Sequence, residues 1–395
     1  MKIIYYSSHP NLNLAAPSGP GTHMREVIAG FEHAGHIVIP VILGGYTLDK
    51  STSQKSGQPT WKQKVKQLIP SIIWQSLKDF NLLRFDRYAQ SELQLAVDKE
   101  QPDMIYERGY YLMTSGVKVA AQNTIKHVIE INAPYPEEKV YMEGKSLFLH
   151  RGTKAEKEQA LGASMVVVVS SALKSYLIER TGIDERKILV TPNAVDPAKF
   201  QNTNRLDTRK NLGYNESDIV VGFVGSIFPY HGVDHLLAGF IALRANDPNL
   251  RLLIVGDGET LPAIRQIAKK SRFYSDITFT GNVGYERIKE LMGAMDMGVM
   301  PKSNWYGSPV KIFEYAMMKL AVIAPDNIPC RDVLVHEKNG LLISEDIKDL
   351  TEAIALLARD RGLRVQLGTA FHNQTIDRHT WQSVSDSVLS HCSVD

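Results

Sequence analysis

Cysteine and excess charge are both scarce in this sequence, and their scarcity excludes several functions. The 395 residues include two cysteines, Cys330 and Cys392, which lie too far apart for a metal or redox motif and indicate a reducing compartment. Lysines and arginines number 45 against 43 aspartates and glutamates, so no charge excess favours nucleic acid as a partner. We predict no bound metal and no cofactor.

Long apolar runs and common catalytic fingerprints are missing as well. No stretch approaches the roughly 20 apolar residues that cross a bilayer, and the N-terminal apolar run is too short for a signal peptide. The dinucleotide motif GxGxxG, the phosphate loop GxxxxGK(S/T) and the nucleophile motif GxSxG are also absent. The sequence therefore predicts a cytoplasmic protein without these three sites.

Apolar runs rich in β-branched residues alternate with helical patterns along the chain, which predicts parallel sheets. We predict an α/β protein with two Rossmann-like domains, over residues 1–190 and 191–375, that face each other across a cleft. Residues 376–395 are predicted as a C-terminal helix, whose return to the first domain is left open. The predicted strands are Ile3–Tyr6, His36–Leu43, Met104–Glu107, His127–Asn132, Met165–Ser170, Ile188–Pro192, Ile219–Gly225, Leu250–Gly256, Ile277–Gly281, Met297–Pro301, Ala321–Pro325 and Gly340–Ser344.

A helix start in the second half places a lysine in an unfavourable electrostatic position. Ser308 is predicted as the N-cap and Pro309 as the first helical residue, so Lys311 lies in the first turn, where the helix dipole disfavours a cation. A bound anion would account for Lys311 there, and Glu314 on the same face could accept hydrogen bonds from sugar hydroxyls. The alternative is a Lys311–Glu314 ion pair on a solvated helix.

Glycine-containing loops follow three predicted strands of the second domain. In these loops His231 could bind a phosphate or a sugar, with a capping or stacking histidine as the alternative, and Asp257 could be no more than a turn former. In open α/β sheets ligands bind beyond the carboxyl ends of the strands, where these loops lie. The candidate residues are Gly225, Ser226, His231, Asp257, Gly281 and Val283.

The first domain offers candidates for the second substrate. The segment Pro17–His23 contains Gly19, Gly21 and His23 and is predicted as a substrate-facing loop before a helix over Met24–His33, or as a plain turn. Polar residues end two consecutive strands at the same edge, where paired carboxylates could perform acid–base chemistry on an acceptor hydroxyl. Structural ion pairs are the alternative. These strand-end residues are Glu107, Arg108, Glu130 and Asn132.

Residues 50–90 combine basic and apolar side chains. Eight basic residues stand against two acidic ones, and they are interleaved with aromatic and aliphatic residues. This composition is typical of a segment that rests on an anionic membrane face, and peripheral contact with the inner membrane face is one interpretation. A lid or an ordinary pair of surface helices is the other.

Taken together, these residues resemble the family 4 glycosyltransferases, retaining enzymes of the GT-B fold. The resemblance spans nearly the whole chain and includes Gly19–His23, Pro192–Asp196, Val224-Gly225, His231-Gly232, Val255–Gly258, Gly281–Val283, Ser308–Ala316 and Asn339–Leu342. It implies that the turn at Ser308, Pro309 and Val310 binds the donor diphosphate through its backbone. It also implies that Glu314 holds the ribose and that backbone near Val283 contacts the base.

The resemblance further implies a function. It predicts metal-independent transfer of a hexose of the glucose or N-acetylglucosamine type from a nucleotide sugar, UDP-linked, to a carbohydrate or lipid-linked acceptor, in polysaccharide, glycolipid or other glycoconjugate synthesis. The predicted catalytic residues are Lys311, Glu314, Glu130 and His231. A GT-B sugar-nucleotide epimerase and a non-catalytic two-domain sugar-binding protein are the alternatives.

The sequence also departs from the family pattern. Tyr306 stands where the first of two spaced glutamates is usual, and Ser226 and His231 replace the usual arginine and lysine. We expect Lys311 to supply part of the missing positive charge, as the motif Ser-Pro-x-Lys-x-x-Glu-Tyr resembles that of a subgroup. The family's first-domain histidine is replaced by the stretch Glu130-Ile-Asn132.

Overall fold

A computed structural model describes residues 1–15, 19–44, 70–201 and 203–392. Strands are present at all twelve predicted places, which confirms the predicted α/β pattern. The strands are β1 (Lys2–Ser7), β2 (Ile37–Ile42), β3 (Met104–Arg108), β4 (Lys126–Ile131), β5 (Met165–Val168), β6 (Ile188–Val190), β7 (Ile219–Val224), β8 (Leu250–Val255), β9 (Ile277–Gly281), β10 (Met297–Val299), β11 (Ala321–Pro325) and β12 (Leu341–Ile343).

Helices connect these strands. They are α1 (Gly19–His33), α2 (Ser71–Glu100), α3 (Ser115–Asn123), α4 (Tyr135–Glu143), α5 (Leu149–Gly162), α6 (Ser171–Thr181), α7 (Arg205–Leu212), α8 (Val233–Arg244), α9 (Leu261–Lys269), α10 (Tyr285–Gly293), α11 (Val310–Met317), α12 (Ile328–Arg331), α13 (Ile347–Arg359), α14 (Arg361–Arg378) and α15 (Trp381–Cys392).

The first sheet contains six parallel strands in the order β2-β1-β3-β4-β5-β6. The β1 residues Ile3, Ile4, Tyr5 and Tyr6 are fully buried, as expected for a central strand that is covered on both faces. Each such side chain stabilises the fold by about 1.5–3 kcal/mol relative to an exposed one. The chain leaves β1 first towards β2 and then towards β3, so the strand order reverses between β1 and β3.

The second sheet is also six-stranded and parallel, in the order β12-β11-β10-β7-β8-β9. The chain enters at β7, proceeds outwards to β9 and then crosses back to β10 on the other side of β7. The reversal therefore lies between β7 and β10. In sheets of this kind the crevice at the carboxyl ends of two such strands is the usual ligand site.

The chain contacts divide into two compact units. One comprises Met1–Thr191 together with Val384–Asp395, and the other comprises Pro192–Ser383. Within the first unit the main-chain oxygen of Cys392 accepts a hydrogen bond from Lys126, and its Sγ lies 4.0 Å from Sδ of Met104. The end of α15 thus packs beside β3 and β4.

The first helix begins earlier than the sequence indicates. We predicted a loop over Pro17–His23 before a helix from Met24, but α1 begins at Gly19. Gly21 and Met24 are both buried, because three-residue spacing places them on the same face of one continuous helix. Neither Gly19 nor Gly21 adopts a positive φ, so they do not form the predicted glycine turn.

The structure describes only part of the segment 50–90. Residues 50–69 lie outside the described residues, and α2 begins at Ser71 and continues to Glu100. Within the described parts of the chain, no helix is both long enough and apolar enough to cross a bilayer.

Candidate functional site

The second unit presents its candidate residues around the end of β7. Lys311 projects from the first turns of α11, which follows β10, and Gly225 directly follows β7. Nζ of Lys311 lies 4.3 Å above the ring of Phe223, the next-to-last residue of β7. Since β7 and β10 are the strands between which the order reverses, Lys311 occupies the predicted crevice.

The ammonium group of Lys311 is buried without a hydrogen-bond acceptor or an ion pair among the described residues. Nζ is inaccessible to solvent and has no hydrogen-bond acceptor among the described residues, although part of the aliphatic stem is exposed. Burial lowers the pKa of Lys311 to about 8, and the charge of Glu314 opposes that shift only in part. A buried cation without a partner destabilises a fold unless a counter-charge is supplied.

Lys311 and Glu314 do not form the ion pair that was the alternative interpretation. Among the described residues no ion pair within 4.0 Å joins the two side chains. Burial raises the pKa of Glu314 to about 7, and the charges of Lys311 and Lys199 oppose this shift. Both groups therefore titrate close to neutral pH.

Two glycines bring the backbone close to Lys311. Gly225 has φ +136°, and a Cβ atom there would lie 3.0 Å from Nζ of Lys311. Gly256 has φ +133°, and its Cβ would lie 2.0 Å from the main-chain oxygen of Gly225. Only glycine combines this conformation with so close an approach, so the two turns shape the space around the ammonium group.

His231 stands beside Lys311 in a short 3-10 turn over Pro229–His231. Its ring lies 4.4 Å from that of Tyr230, and its Nδ1 is buried without a hydrogen-bond partner among the described residues. Burial lowers the pKa of His231 to about 4, helped by the charge of Lys311 and opposed by a hydrogen bond with the backbone of Ser226. The imidazole is therefore neutral at pH 7.

The start of α11 differs from the prediction. Ser308 does not cap the helix, because its Oγ accepts a hydrogen bond from the main-chain N–H of Asn193 at 2.9 Å. Pro309 has φ −80° and ψ 109°, which is extended backbone, so the helix begins at Val310 rather than at Pro309. Pro309 occupies the cap position and has no side-chain acceptor, so it makes no capping hydrogen bond to the first main-chain N–H groups of α11.

The remaining candidates of this unit have mixed surroundings. Asp257 accepts a hydrogen bond from the N–H of Gly258 at 2.7 Å, a contact that favours the turn-forming alternative. Gly281 accepts one from the N–H of Gly256 at 3.1 Å, which joins the ends of β8 and β9. Ser226 is exposed, and Val283 is half-buried against the core.

The position of α11 depends on a tyrosine that the sequence analysis did not select. The hydroxyl of Tyr315 accepts a hydrogen bond from the N–H of Val224 at 2.8 Å, inside the core. This bond holds α11 against the end of β7 and so positions Lys311 beside Gly225. No sequence pattern distinguishes Tyr315 from an ordinary core aromatic residue.

In the first unit Glu130 is the centre of a buried polar cluster. Its Oε1 lies 2.8 Å from Nε2 of His23, 2.7 Å from Nη1 of Arg108 and 2.5 Å from Nδ2 of Asn132. Its Oε2 accepts a hydrogen bond from the hydroxyl of Tyr106 at 2.7 Å. Burial opposes ionisation of Glu130, but the charges and hydrogen bonds of its neighbours, His23 first, hold its pKa well below the usual range.

The structure separates the two carboxylates that we expected to act as a pair. Arg108 lies opposite Glu130 in the sheet register, whereas Glu107 lies opposite Ile129. Because successive strand residues point to opposite faces, Glu107 and Glu130 lie on different sides of the sheet. Glu107 contacts Nε2 of His127 at 2.8 Å in the core instead, so a joint acid–base role for the two glutamates is wrong.

His9 and Tyr110 form a further pair at this edge of the sheet, which the sequence did not predict. The rings of His9, after β1, and Tyr110, after β3, lie 3.8 Å apart between their centroids. Burial lowers the pKa of His9 to about 4, and the charge of Arg108 adds to the shift. Since the strand order reverses between β1 and β3, this tilted ring pair borders the corresponding crevice of the first unit.

Metal ligands were not predicted from the sequence. Within the described ranges no three His, Cys, Asp or Glu side chains converge in a way that could hold a metal ion.

Two family models match the chain, one in each half. Residues 17–199 match Glycosyltransferase Family 4, and residues 204–374 match Glycosyl transferases group 1. Similar curated proteins include a D-inositol 3-phosphate glycosyltransferase of Stackebrandtia nassauensis, 27% identical over 59% of this chain and 55% of the relative. A GDP-mannose-dependent alpha-(1-6)-phosphatidylinositol monomannoside mannosyltransferase of Mycobacterium tuberculosis is 24% identical over 57% of this chain and 60% of the relative. The chain thus matches little more than half the length of these relatives.

Solved structures match over the whole chain. HepE of Anabaena, solved in complex with UDP, superimposes with a TM-score of 0.71 at 16% identity and covers 100% of both chains. Sucrose-phosphate synthase of Thermosynechococcus elongatus gives a TM-score of 0.72 at 16% identity and covers 99% of this chain and 98% of its own. At such identities the likeness shows the fold alone. The GT-B fold is thus shown by the solved structures, and the two family models, which together span most of the chain, show that it belongs to the family 4 glycosyltransferases.

Proposed function

We propose that this protein is a retaining glycosyltransferase that moves a hexose from a UDP-linked donor to an acceptor hydroxyl without a metal ion. The observation on which the proposal depends is the buried ammonium group of Lys311, which has no hydrogen-bond acceptor among the described residues and lies beside the Gly225 turn. A donor diphosphate at this position would supply the missing counter-charge.

The surroundings of Lys311 suit a diphosphate for three reasons. The first turn of α11 has main-chain N–H groups that the cap residue Pro309 does not bind, and the start of a helix favours anions. Gly225 removes the Cβ atom that would otherwise fill the space. The ring N–H of the neutral His231 is engaged by the backbone of Ser226, so its buried Nδ1 can accept a hydrogen bond from a hydroxyl of the sugar attached to that diphosphate.

Charge on the leaving group links this site to the reaction. Transfer breaks the bond between the anomeric carbon of the sugar and a diphosphate oxygen, and it forms a bond between that carbon and the acceptor oxygen, which loses its proton. Negative charge accumulates on the diphosphate as the first bond breaks. A fixed cation and helix N–H groups stabilise that charge more in the transition state than in the bound donor, which accelerates the reaction.

Glu314 is proposed to bind the ribose. It lies one helical turn from Lys311 on the same face, and an ionised carboxylate accepts hydrogen bonds from two vicinal hydroxyls. Because the pKa of Glu314 is raised to about 7, a large share of this group is protonated at neutral pH in the unliganded protein. Donor hydroxyls and the nearby cation would both favour its ionised form.

The first unit is proposed to bind the acceptor. Glu130 receives four polar contacts, so it is suited to holding His23, Arg108 and Asn132 in place rather than to accepting a further proton. We propose that Arg108 and His23 contact the acceptor, a saccharide or a lipid-linked hydroxyl. UDP and a glucose-type hexose are proposed because a HepE structure contains UDP-glucose, whereas the mycobacterial relative is named for GDP-mannose.

The test is donor turnover with a panel of nucleotide sugars. UDP-glucose, UDP-N-acetylglucosamine and GDP-mannose are each incubated with the protein, with and without simple glycoside acceptors, and release of the nucleoside diphosphate is measured. Slow release without acceptor and faster release with one is the expected result. Interconversion of the sugar without release would assign an epimerase, and tight binding without turnover of any donor would assign a binding protein.

A further inference from the structure

The start of α2 exposes apolar side chains in a regular stripe. Ile73, Leu77 and Phe80 are about half exposed, at 48%, 50% and 49%. Arg84 at i+11 and Tyr88 at i+15 continue this helical spacing from Ile73 and are exposed as well. A stripe of this kind normally faces the core of a protein, but here it is the face of α2 that points away from the sheet.

The acidic residues of this part of α2 point the other way. Between Ser71 and Tyr88 the acidic side chains are Asp79 and Asp86, and both are buried. Asp79 accepts a hydrogen bond from Tyr111 at 3.2 Å, and Asp86 accepts hydrogen bonds from Thr114 at 2.9 Å. The charged side chains left at the surface of this stretch are therefore all basic.

A second segment of the first unit extends the apolar surface. The main chain of residues 143–147 runs beside α2, because Gln75 donates a hydrogen bond to the oxygen of Glu143 at 2.7 Å and Ser76 accepts one from the N–H of Leu147 at 2.9 Å. Tyr141, Met142 and Leu147 are 75%, 62% and 67% exposed in and beside this segment.

Basic side chains border the second segment as they border the first. Lys145 and Arg151 are exposed there, and the Arg151 guanidinium lies 5.5 Å above the ring of Phe148. Glu143, the acidic residue of this segment, is engaged by Lys78 at 2.9 Å and by Lys139 at 2.8 Å. Exposed lysine and arginine side chains therefore lie on both segments, and Glu137 and Glu138 lie one helical turn before Tyr141 and Met142 on α4.

We propose that these two segments form a docking surface for an anionic lipid bilayer, here called the α2 surface and defined by Ile73, Leu77, Phe80, Tyr141, Met142 and Leu147. Apolar side chains beside the exposed basic residues Arg84, Arg87, Lys145 and Arg151 suit the boundary between acyl chains and negative headgroups. The charge pattern favours this partner over a second copy of the chain, because two copies would bring like charges together. The proposal does not depend on the donor site.

The first test is co-sedimentation with vesicles of phosphatidylcholine, alone or mixed with phosphatidylglycerol. The full-length protein should bind the mixed vesicles, bind the neutral ones far less, and dissociate as salt is raised. Leu77→Glu and Phe80→Glu should each weaken binding by about tenfold or more, since an apolar contact is lost and a negative charge is added. The proposal would be overturned if neither substitution changed binding to the mixed vesicles, or if the unmodified protein bound neither kind of vesicle.

Two controls separate lipid binding from other effects. Val365→Glu adds the same negative charge at an exposed apolar residue of the second unit. Val365 lies on α14 and is 58% exposed, and its replacement should leave vesicle binding unchanged. Thermal melting checks that Leu77→Glu remains folded, as expected for an exposed position. Light scattering without vesicles tests the second copy as a partner: a dimer that Leu77→Glu dissociates would assign the α2 surface to self-association and refute lipid docking.

Discussion

If the Lys311 ammonium group binds the donor diphosphate, replacing Lys311 by methionine should lower turnover but raise the stability of the unliganded protein. Methionine keeps the length and the apolar stem but removes the charge. Loss of one group that stabilises charge on a leaving group typically lowers turnover by about 10²–10³-fold. We therefore expect nucleoside diphosphate release by Lys311→Met to fall by about that factor, with a smaller loss for Lys311→Arg.

The same substitution should stabilise the unliganded protein. Burial lowers the pKa of Lys311 from 10.5 to about 8, and a shift of one pKa unit corresponds to about 1.4 kcal/mol. At pH 7 the buried ammonium group thus lowers the free energy of unfolding by up to about 3.5 kcal/mol, which Lys311→Met should recover. In Lys311→Met the pKa of Glu314 rises, because a nearby cation is lost. Glu314 is then neutral, so the substitution leaves no unpaired carboxylate in the core.

Urea unfolding at several pH values measures this effect. Because the folded pKa is below the unfolded one, the unfolded state binds more protons between pH 8 and 10.5, so the wild-type protein should gain stability there and Lys311→Met should not. Lys338→Met, at an exposed lysine of the same unit, is the matched control and should change neither stability nor turnover. A Lys311→Met protein that is less stable than the wild type and turns over donor normally would refute the anion site.

Three further predictions concern the two sites. The kcat/KM for the donor should follow a bell-shaped pH profile with its maximum between about 7 and 8, where Glu314 of the free protein is ionised and Lys311 still protonated. Glu314→Gln should remove the acid limb and weaken donor binding. Gly225→Ala should lower the free energy of unfolding by about 1–3 kcal/mol and abolish nucleotide binding in calorimetry, because its φ is positive and its Cβ would meet Lys311. Gly362→Ala, at an exposed position of α14 without a positive φ, should do neither. Glu130→Gln should raise the acceptor KM by about tenfold while nucleotide affinity stays unchanged, and an equal loss of nucleotide affinity would contradict the separate roles.

The strands were predictable because their signal is local. A run such as Met165–Val168 is apolar at every position, which only a strand covered on both faces requires, and the structure buries all four residues. Helix starts were less predictable. Ser308 has the right residue type for a cap, but Asn193, 115 residues away in the chain, engages its hydroxyl and its carbonyl instead. Such long-range competition leaves no trace near the motif.

The site residues divide in the same way. Lys311 and Glu314 stood out in the sequence because a cation in the first helical turn conflicts with the helix dipole. Their separation, and the burial of Nζ against Phe223, depend on how α11 packs on β7 through Tyr315. The expectation that Glu107 and Glu130 act together was wrong because it used strand ends alone, without the alternation of side chains across the sheet.

The sequence by itself determined the elements of this protein, since periodicity, glycine turns and the order of motifs depend on residues close together in the chain. It thereby determined two Rossmann-like folding units and the glycosyltransferase family. Tertiary structure alone decided which polar groups meet. It joined His23 to Glu130, packed His9 against Tyr110, and left the Lys311 ammonium group buried without an acceptor among the described residues. These contacts link residues that are far apart in the chain, and strand order and register determine which of them come together.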